Sequence, residues 1–70
     1  MPPLTPRQTA ILDFIRAYID RCKFPPSIRE IGEHFGISSP TGVICHIRVL
    51  ERRGMISRVP GKARAIIVTA

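Results

Sequence analysis

The 70-residue chain has few cysteines and no long apolar run. Cys22 and Cys45 are its only cysteines. Two cysteines are too few for the disulfide scaffold of a small secreted domain, which favours a reducing compartment. The longest apolar runs, such as residues 65–68, are only a few residues long, so no segment is predicted to span a membrane or to act as a secretory signal. We expect one cytoplasmic domain over residues 1–70, because this length allows only one small hydrophobic core.

Acidic residues are also scarce. Five Asp and Glu residues stand against eleven Lys and Arg residues, which gives a net charge of +6. The excess is concentrated in residues 48–64, where Glu51 is the only acidic residue and the net charge is +5. The basic residues of this stretch are Arg48, Arg52, Arg53, Arg58, Lys62 and Arg64. Such a charge favours a polyanionic partner, most often nucleic acid; a solvated basic face that only aids solubility is the alternative.

The residue types that bind metals are present without the usual spacing. His34 and His46 accompany the two cysteines, but the chain has no CxxC and no HxxxH pair. Metal sites built from these ligands depend on such spacings. No acid–base pair suited to catalysis stands out either. We therefore expect no metal, no cofactor and no enzymatic activity.

The first helix is predicted over residues 6–22. In "LTPRQ", Thr5 suits the N-cap, Pro6 the first helical position and Gln8 the reciprocal half of a capping box. The apolar face that follows comprises Ile11, Leu12, Ile15, Tyr18, Ile19 and Cys22. The two prolines of "KFPPS" end this helix, because proline is excluded from helix interiors.

A second capping box, "SIRE", predicts a short helix over residues 28–35. Ser27 caps the helix and Glu30 reaches back to it. The residues predicted to point inward are Ile28, Ile31 and Phe35. Gly36 suits the left-handed conformation that ends many helices.

The third helix is predicted to follow a turn of about four residues, "GISS", in which Ile37 fills the space under the turn. Ser39 is predicted to cap this helix and Pro40 to occupy its first position. The helix is predicted to end at Gly54, after two arginines that suit the negative end of a helix.

A β-hairpin is predicted for the remainder of the chain. Two runs rich in β-forming residues, 55–59 and 64–69, flank "PGKA". Pro60 and Gly61 suit the central positions of a type II turn. The hairpin residues predicted to cover the helices are Ile56, Ile66 and Val68. The order of elements predicts an α+β fold, a three-helix winged helix-turn-helix with a C-terminal two-stranded β-hairpin as the wing.

The third helix is predicted to have two different faces. On a wheel of about 100° per residue with Val43 at zero, Ile47 and Leu50 lie within about 40° of it and form an inward stripe. The opposite face carries Thr41, Cys45, Arg48 and Arg52. Ile44 lies on the flank, at about 100°.

The opposite face is suited to DNA. In a helix-turn-helix the second helix of the motif enters the major groove, where threonine and apolar groups can contact a thymine methyl and arginine can bind guanine or phosphate. Gly42 would allow the helix to approach a groove wall closely. The alternative is that Ile44 and Cys45 are buried against the wing or a partner chain.

Several stretches in this order resemble the N-terminal DNA-binding domain of the LexA repressor family. They are "LTPRQ", "ILDFIR", "FPPSIREIGEHFGISSPTGV", "HIRVLERRGMI" and "PGKAR". The resemblance covers nearly all of residues 4–68, and the joint order and spacing of the motifs is what makes it specific. It implies a transcriptional repressor of DNA-damage (SOS) response genes that binds a palindromic, double-stranded DNA operator.

The resemblance also implies which residues touch DNA. In the family, the start of the third helix and its next turn read bases, and the wing contacts the DNA backbone and the minor groove. The implied base-reading residues are Ser39, Thr41, Gly42, Ile44, Cys45 and Arg48. The implied backbone and wing contacts are Arg52, Gly61, Lys62 and Arg64.

The chain departs from the family at two points. Many members carry Asn at the position of Thr41 and a Glu pair at those of Ile44 and Cys45, so a different operator is expected here. The family's C-terminal domain, which carries a self-cleaving Ser–Lys dyad and most of the dimer contacts, is absent from these 70 residues. The chain is therefore either a fragment of a longer repressor or a stand-alone relative. We expect a free monomer that pairs as a homodimer on an inverted repeat.

Two further alternatives remain open from the sequence. A winged-helix module that binds protein would be marked by an apolar recognition surface without flanking arginines. Cys45, if exposed on the reading face, is a candidate redox sensor, whereas a packed thiol there would be inert.

Overall fold

Three helices precede two short antiparallel strands in the computed structural model, which describes residues 3–58 and 66–69. The elements are α1 (Pro6–Cys22), α2 (Ile28–Phe35), α3 (Pro40–Arg52), β1 (Ile56–Arg58) and β2 (Ile66–Val68). The predicted α+β winged helix-turn-helix is thus confirmed, with the bounds of α1 and α2 as predicted. Among the described residues, no helix has the length and apolar character needed to cross a membrane.

Both predicted capping boxes are formed. At the start of α1, Thr5 Oγ1 accepts the Gln8 N–H at 3.1 Å, and Gln8 Oε1 accepts the Thr5 N–H at 3.1 Å. At the start of α2, Ser27 Oγ accepts the Glu30 N–H at 3.1 Å, and Glu30 Oε1 accepts the Ser27 N–H at 2.9 Å. Each box satisfies donors that a helix N-terminus otherwise leaves unpaired.

The predicted side-chain cap of α3 is not formed. Ser39 occupies the N-cap position with an extended backbone, but its side chain makes no capping hydrogen bond. The Gly42 N–H, one of the donors that an N-cap side chain usually satisfies, instead donates to the Ser39 carbonyl oxygen at 3.1 Å. The serine hydroxyl is therefore not used to begin the helix.

Two matched serine substitutions test this difference. Ser27→Ala should lower the free energy of unfolding by about 1 kcal/mol, because a capping hydrogen bond is lost. For a domain of this size, that loss lowers the melting temperature by about 4–8 °C. Ser39→Ala should change stability by less than about 0.5 kcal/mol, as for a surface change without a lost cap. Calorimetric or circular-dichroism melting of both variants checks this, and equal losses would show that Ser39 also caps its helix.

The predicted glycine, Gly54, terminates α3. The helix ends at Arg52, two residues before the predicted glycine, and Gly54 adopts a left-handed φ of 75°. The Gly54 N–H donates to the Glu51 carbonyl oxygen and the Met55 N–H to that of Leu50, both at 3.0 Å. These two bonds form a Schellman motif, which turns the chain sharply from α3 into β1.

The core lies between the three helices and one side of the hairpin. Its buried residues are Ile11, Leu12, Ile15, Ile31, Val43, Ile47, Leu50, Ile56 and Ile66. The ends of the predicted apolar faces lie at its edge, because Tyr18, Ile19 and Cys22 on α1 and Ile28 and Phe35 on α2 are only half-buried. Helix α3 packs against α1, α2 and β1, so its position relative to the rest of the domain is held from three sides.

Aromatic rings join the outer edges of α1 and α2. The rings of Phe14 and His34 are stacked with centroids 4.2 Å apart, and Phe35 meets Phe14 edge-on at 5.6 Å. The Tyr18 hydroxyl donates to Glu30 Oε2 at 2.6 Å. Glu30 therefore caps α2 and also ties it to α1.

The two strands pair in the predicted antiparallel sense. Ile56 faces Val68, Ser57 faces Ile67 and Arg58 faces Ile66. Ile56 and Ile66 are buried and Val68 is half-buried against the core, as predicted for the side that covers the helices. The predicted turn at Pro60 and Gly61 lies outside the described residues.

Candidate nucleic-acid interface

Helix α3 separates its side chains into a buried and an exposed face. Val43, Ile47 and Leu50 are at most 1% exposed. The exposed face carries Thr41, Cys45, Arg48 and Arg52. The predicted division of the helix is confirmed, because the described core packs on the buried face and leaves the other face exposed.

Ile44 and Gly42 lie on the two flanks of this face. Ile44 is half-buried, whereas Cys45 is exposed, so burial of both residues within the domain is not observed. A Cβ atom at Gly42 would lie 2.9 Å from Cγ2 of Ile37. The missing side chain therefore also serves a packing purpose inside the protein, since it lets α3 approach the turn that Ile37 fills.

The turn before α3 presents small polar groups. Ser38 and Ser39 are both exposed, and the Ser39 hydroxyl is not used as a cap. Because the N-terminal end of a helix carries a partial positive charge, these hydroxyls lie beside a region that favours an anion such as a DNA phosphate.

Among the described residues, the arginines of the exposed face lack the side-chain contacts that Arg7, Arg21 and Arg29 make. Arg7 donates to the Phe35 carbonyl oxygen at 3.1 Å, and Arg29 Nε lies 2.9 Å from Glu33 Oε1. The Arg21 guanidinium lies over the Tyr18 ring at 5.9 Å. Within residues 3–58 and 66–69, Arg48 and Arg52 have no ion pair or hydrogen bond of this kind. Their charges are not neutralised by neighbouring carboxylates.

The basic stretch of the sequence does not form a single face. Arg53 is half-buried and has a contact of its own within the domain. Arg58 is half-buried on β1, on the same side of the strand as the buried Ile56. The fold thus exposes Arg48 and Arg52 on α3, whereas Arg53 and Arg58 are half-buried. The predicted wing contacts Gly61, Lys62 and Arg64 lie outside the described residues.

Two exposed side chains, one in the turn before α3 and one on β2, are not among the predicted site residues. Ser38 precedes Ser39 in the turn, and Ile67 is 53% exposed on the outer side of β2. The alternation of the strand would have placed Ile67 outward, because its neighbours Ile66 and Val68 face the core. A search guided by charge passes over both residues.

The groups that could bind a metal stay apart. The described residues contain no cluster of three His, Cys, Asp or Glu side chains suited to a metal ion. Cys22 is half-buried and Cys45 is exposed. His46 has a buried Nδ1 without a hydrogen-bond partner among the described residues.

Comparisons with known proteins agree with this geometry. The family model for the LexA DNA binding domain matches residues 1–65. The chain is 46% identical over 68 residues to the LexA repressor of Geotalea uraniireducens, which covers 97% of this chain and 34% of that protein. It is 42% identical over 69 residues to LexA repressor 2 of Geobacter sulfurreducens, with 99% of this chain and 34% of that protein covered.

A third relative matches over the full length of the chain. The LexA repressor of Anaeromyxobacter dehalogenans is 49% identical over 70 residues, which is 31% of that protein. The chain therefore spans about a third of the length of the curated relatives that it matches. By the extent of the family match and its agreement with the fold, the chain belongs to the family of LexA DNA binding domains.

Proposed function

We propose that this chain is a sequence-specific, double-stranded DNA-binding module that acts as a LexA-like transcriptional repressor. The name "repressor" of its relatives supports the role. The module would act by occupying an operator and excluding RNA polymerase from it. By the family resemblance, the repressed genes belong to the DNA-damage response.

One observation carries the proposal. On the exposed face of α3, Arg48 and Arg52 have no ion-pair or hydrogen-bond partner within residues 3–58 and 66–69, and they lie beside small side chains that can approach bases closely. A face adapted only to water would not need uncompensated arginines next to a threonine and a thiol. In a helix-turn-helix, this face is the one that enters the major groove.

The proposed site has two groups of residues: readers, which would contact bases, and positioners, which would contact phosphates. Ser39, Thr41, Ile44, Cys45 and Arg48 lie on the N-terminal two thirds of the helix or just before it, where side chains reach base edges. The positioners, which would contact phosphates, are Arg52 and the wing residues Gly61, Lys62 and Arg64. Gly42 contributes by keeping α3 close to the turn, which determines the angle at which the helix is presented.

Alanine substitutions should separate these two roles. Thr41→Ala or Cys45→Ala should change which bases are preferred, with a change of about fivefold or more in the ratio between the best site and a single mismatch. Lys62→Ala or Arg64→Ala should weaken binding to all duplexes alike and reduce the salt slope by about 0.9 per contact. Fluorescence anisotropy on a small panel of single-mismatch duplexes measures both quantities.

The control for this comparison is Arg21→Ala, which removes an equal charge from the last turn of α1, outside the proposed site. It should leave base preference unchanged. The assignment of roles would be wrong if wing substitutions changed base preference while the substitutions on α3 did not.

A further inference from the structure

The reading end of α3 has an unusual set of functional groups. Residues 40–47, which form its first two turns, contain no Asn, Gln, Asp or Glu. The only carboxylate on the helix is Glu51, near the C-terminal end. Amides are the side chains that pair with adenine in two hydrogen bonds, and carboxylates are the ones that accept from cytosine. The first two turns therefore lack the groups for either contact.

The groups that are present are mostly apolar. Thr41 and Cys45 are exposed and one helical turn apart, and Ile44 lies beside them, half-buried on the flank. Together they present methyl groups, a thiol and one hydroxyl. The apolar group that the major groove itself offers is the 5-methyl of thymine.

Arg48 adds one strong donor at the far end of this surface. It is exposed, and within the described part of the chain no carboxylate pairs with it. An unpaired guanidinium matches O6 and N7 of guanine in two hydrogen bonds. From Thr41 to Arg48 the helix rises about 10 Å, at about 1.5 Å per residue, which is comparable to three base-pair steps of about 3.4 Å.

We infer that α3 recognises thymine 5-methyl groups through Thr41, Ile44 and Cys45, and a guanine through Arg48. The inference rests on the proposed function and deepens it by naming the chemistry of the half-site. The preferred half-site contains thymines under the first two turns of the helix and a guanine about three base pairs away. Carboxylate contacts to cytosine are not part of this recognition.

Deoxyuridine tests the methyl contacts without altering the protein, because it differs from thymidine only by the 5-methyl group. The probe is the tightest duplex recovered from a random pool, with each half-site thymine replaced in turn by deoxyuridine. At one or more positions the replacement should weaken binding about fourfold, which corresponds to the loss of one buried methyl. Ile44→Ala or Cys45→Ala should reduce this ratio towards one. Arg52→Ala, which leaves the methyl contacts in place, should weaken binding but keep the ratio.

7-Deazaguanine tests the guanine contact in the same way, because it lacks the N7 acceptor. Replacing the half-site guanine should weaken binding by the wild-type chain about tenfold, within the range for a bidentate base contact. Binding by Arg48→Ala should be insensitive to the replacement.

The outcomes separate this inference from the proposed function. If the duplex is preferred over a scrambled one but deoxyuridine has no effect at any half-site position, methyl recognition is wrong and DNA binding stands. If 7-deazaguanine affects wild type and Arg48→Ala equally, the guanine contact belongs to another residue. If no duplex is preferred over a scrambled one, the proposed function fails and the inference fails with it.

Discussion

Raising the salt concentration from about 50 mM to about 200 mM should weaken binding of this chain to duplex DNA about 150-fold. The value follows from about four phosphates neutralised per monomer, which gives a log–log slope near −3.6 by counterion release. The basis is the net charge of +5 in residues 48–64. Arg52 is the described residue proposed to make one such contact, and no carboxylate in the described part of the chain pairs with it.

Two variants that each remove one positive charge test whether the exposed face of α3 contributes to this salt dependence. Arg52→Ala should reduce the magnitude of the slope by about 0.9. Arg21→Ala, outside the basic stretch and with its guanidinium over the Tyr18 ring, should leave the slope as it is. A flat salt response in the wild-type chain would contradict nucleic-acid binding and favour a protein partner.

An inverted repeat should bind two copies of the chain about 5-fold to about 150-fold more tightly than two unconnected half-sites, which is the usual range of coupling between sites. Pairing is expected only on DNA. One module buries about 600–1,000 Å² on DNA, which is at the lower end for specific binding. A second module on a half-site about one helical turn away supplies the missing affinity.

The expectation of a free monomer has a structural reason. The apolar stripes of α1, α2 and α3 meet in one core, and the large exposed hydrophobics of the described residues are Phe24 and Ile67, at 46% and 53%. Two separate side chains do not make the roughly 1,200 Å² that a stable interface buries in total. Sedimentation of the free chain and titration of one-site and two-site duplexes test this. A stable dimer without DNA, or equal affinity for one half-site and the full repeat, would contradict it.

Local chemistry explains why the helices could be predicted so closely. Thr5 with Gln8 and Ser27 with Glu30 carry both halves of a capping box, and each box closes as the spacing indicates. Ser39 lacks such a partner three residues on, since Gly42 has no side chain to reach back. A serine before a proline is then an ambiguous signal, and only the structure shows that the Ser39 side chain makes no capping hydrogen bond.

The candidate DNA-binding surface is harder to predict from the sequence, because it depends on which side chains the fold leaves exposed. A charge count treats Arg48, Arg52, Arg53 and Arg58 alike, although the fold exposes the first two and half-buries the others. The sequence predicts that Gly42 allows α3 to approach a groove wall of the DNA. The structure gives a second reason for this glycine, because a Cβ atom there would lie 2.9 Å from Cγ2 of Ile37. Such contacts join residues of different elements and leave no local pattern.

The central claim is that the exposed face of α3 reads a specific DNA sequence, and selection from a random duplex pool tests it most directly. The selection should be done with the whole chain at a salt concentration high enough to suppress non-specific binding. The expected result is a shared half-site of a few base pairs that recurs in inverted orientation about one helical turn apart, and that changes when Thr41 or Cys45 is replaced by alanine. Recovery of DNA without a shared motif, or a motif unaffected by both substitutions, would contradict the claim.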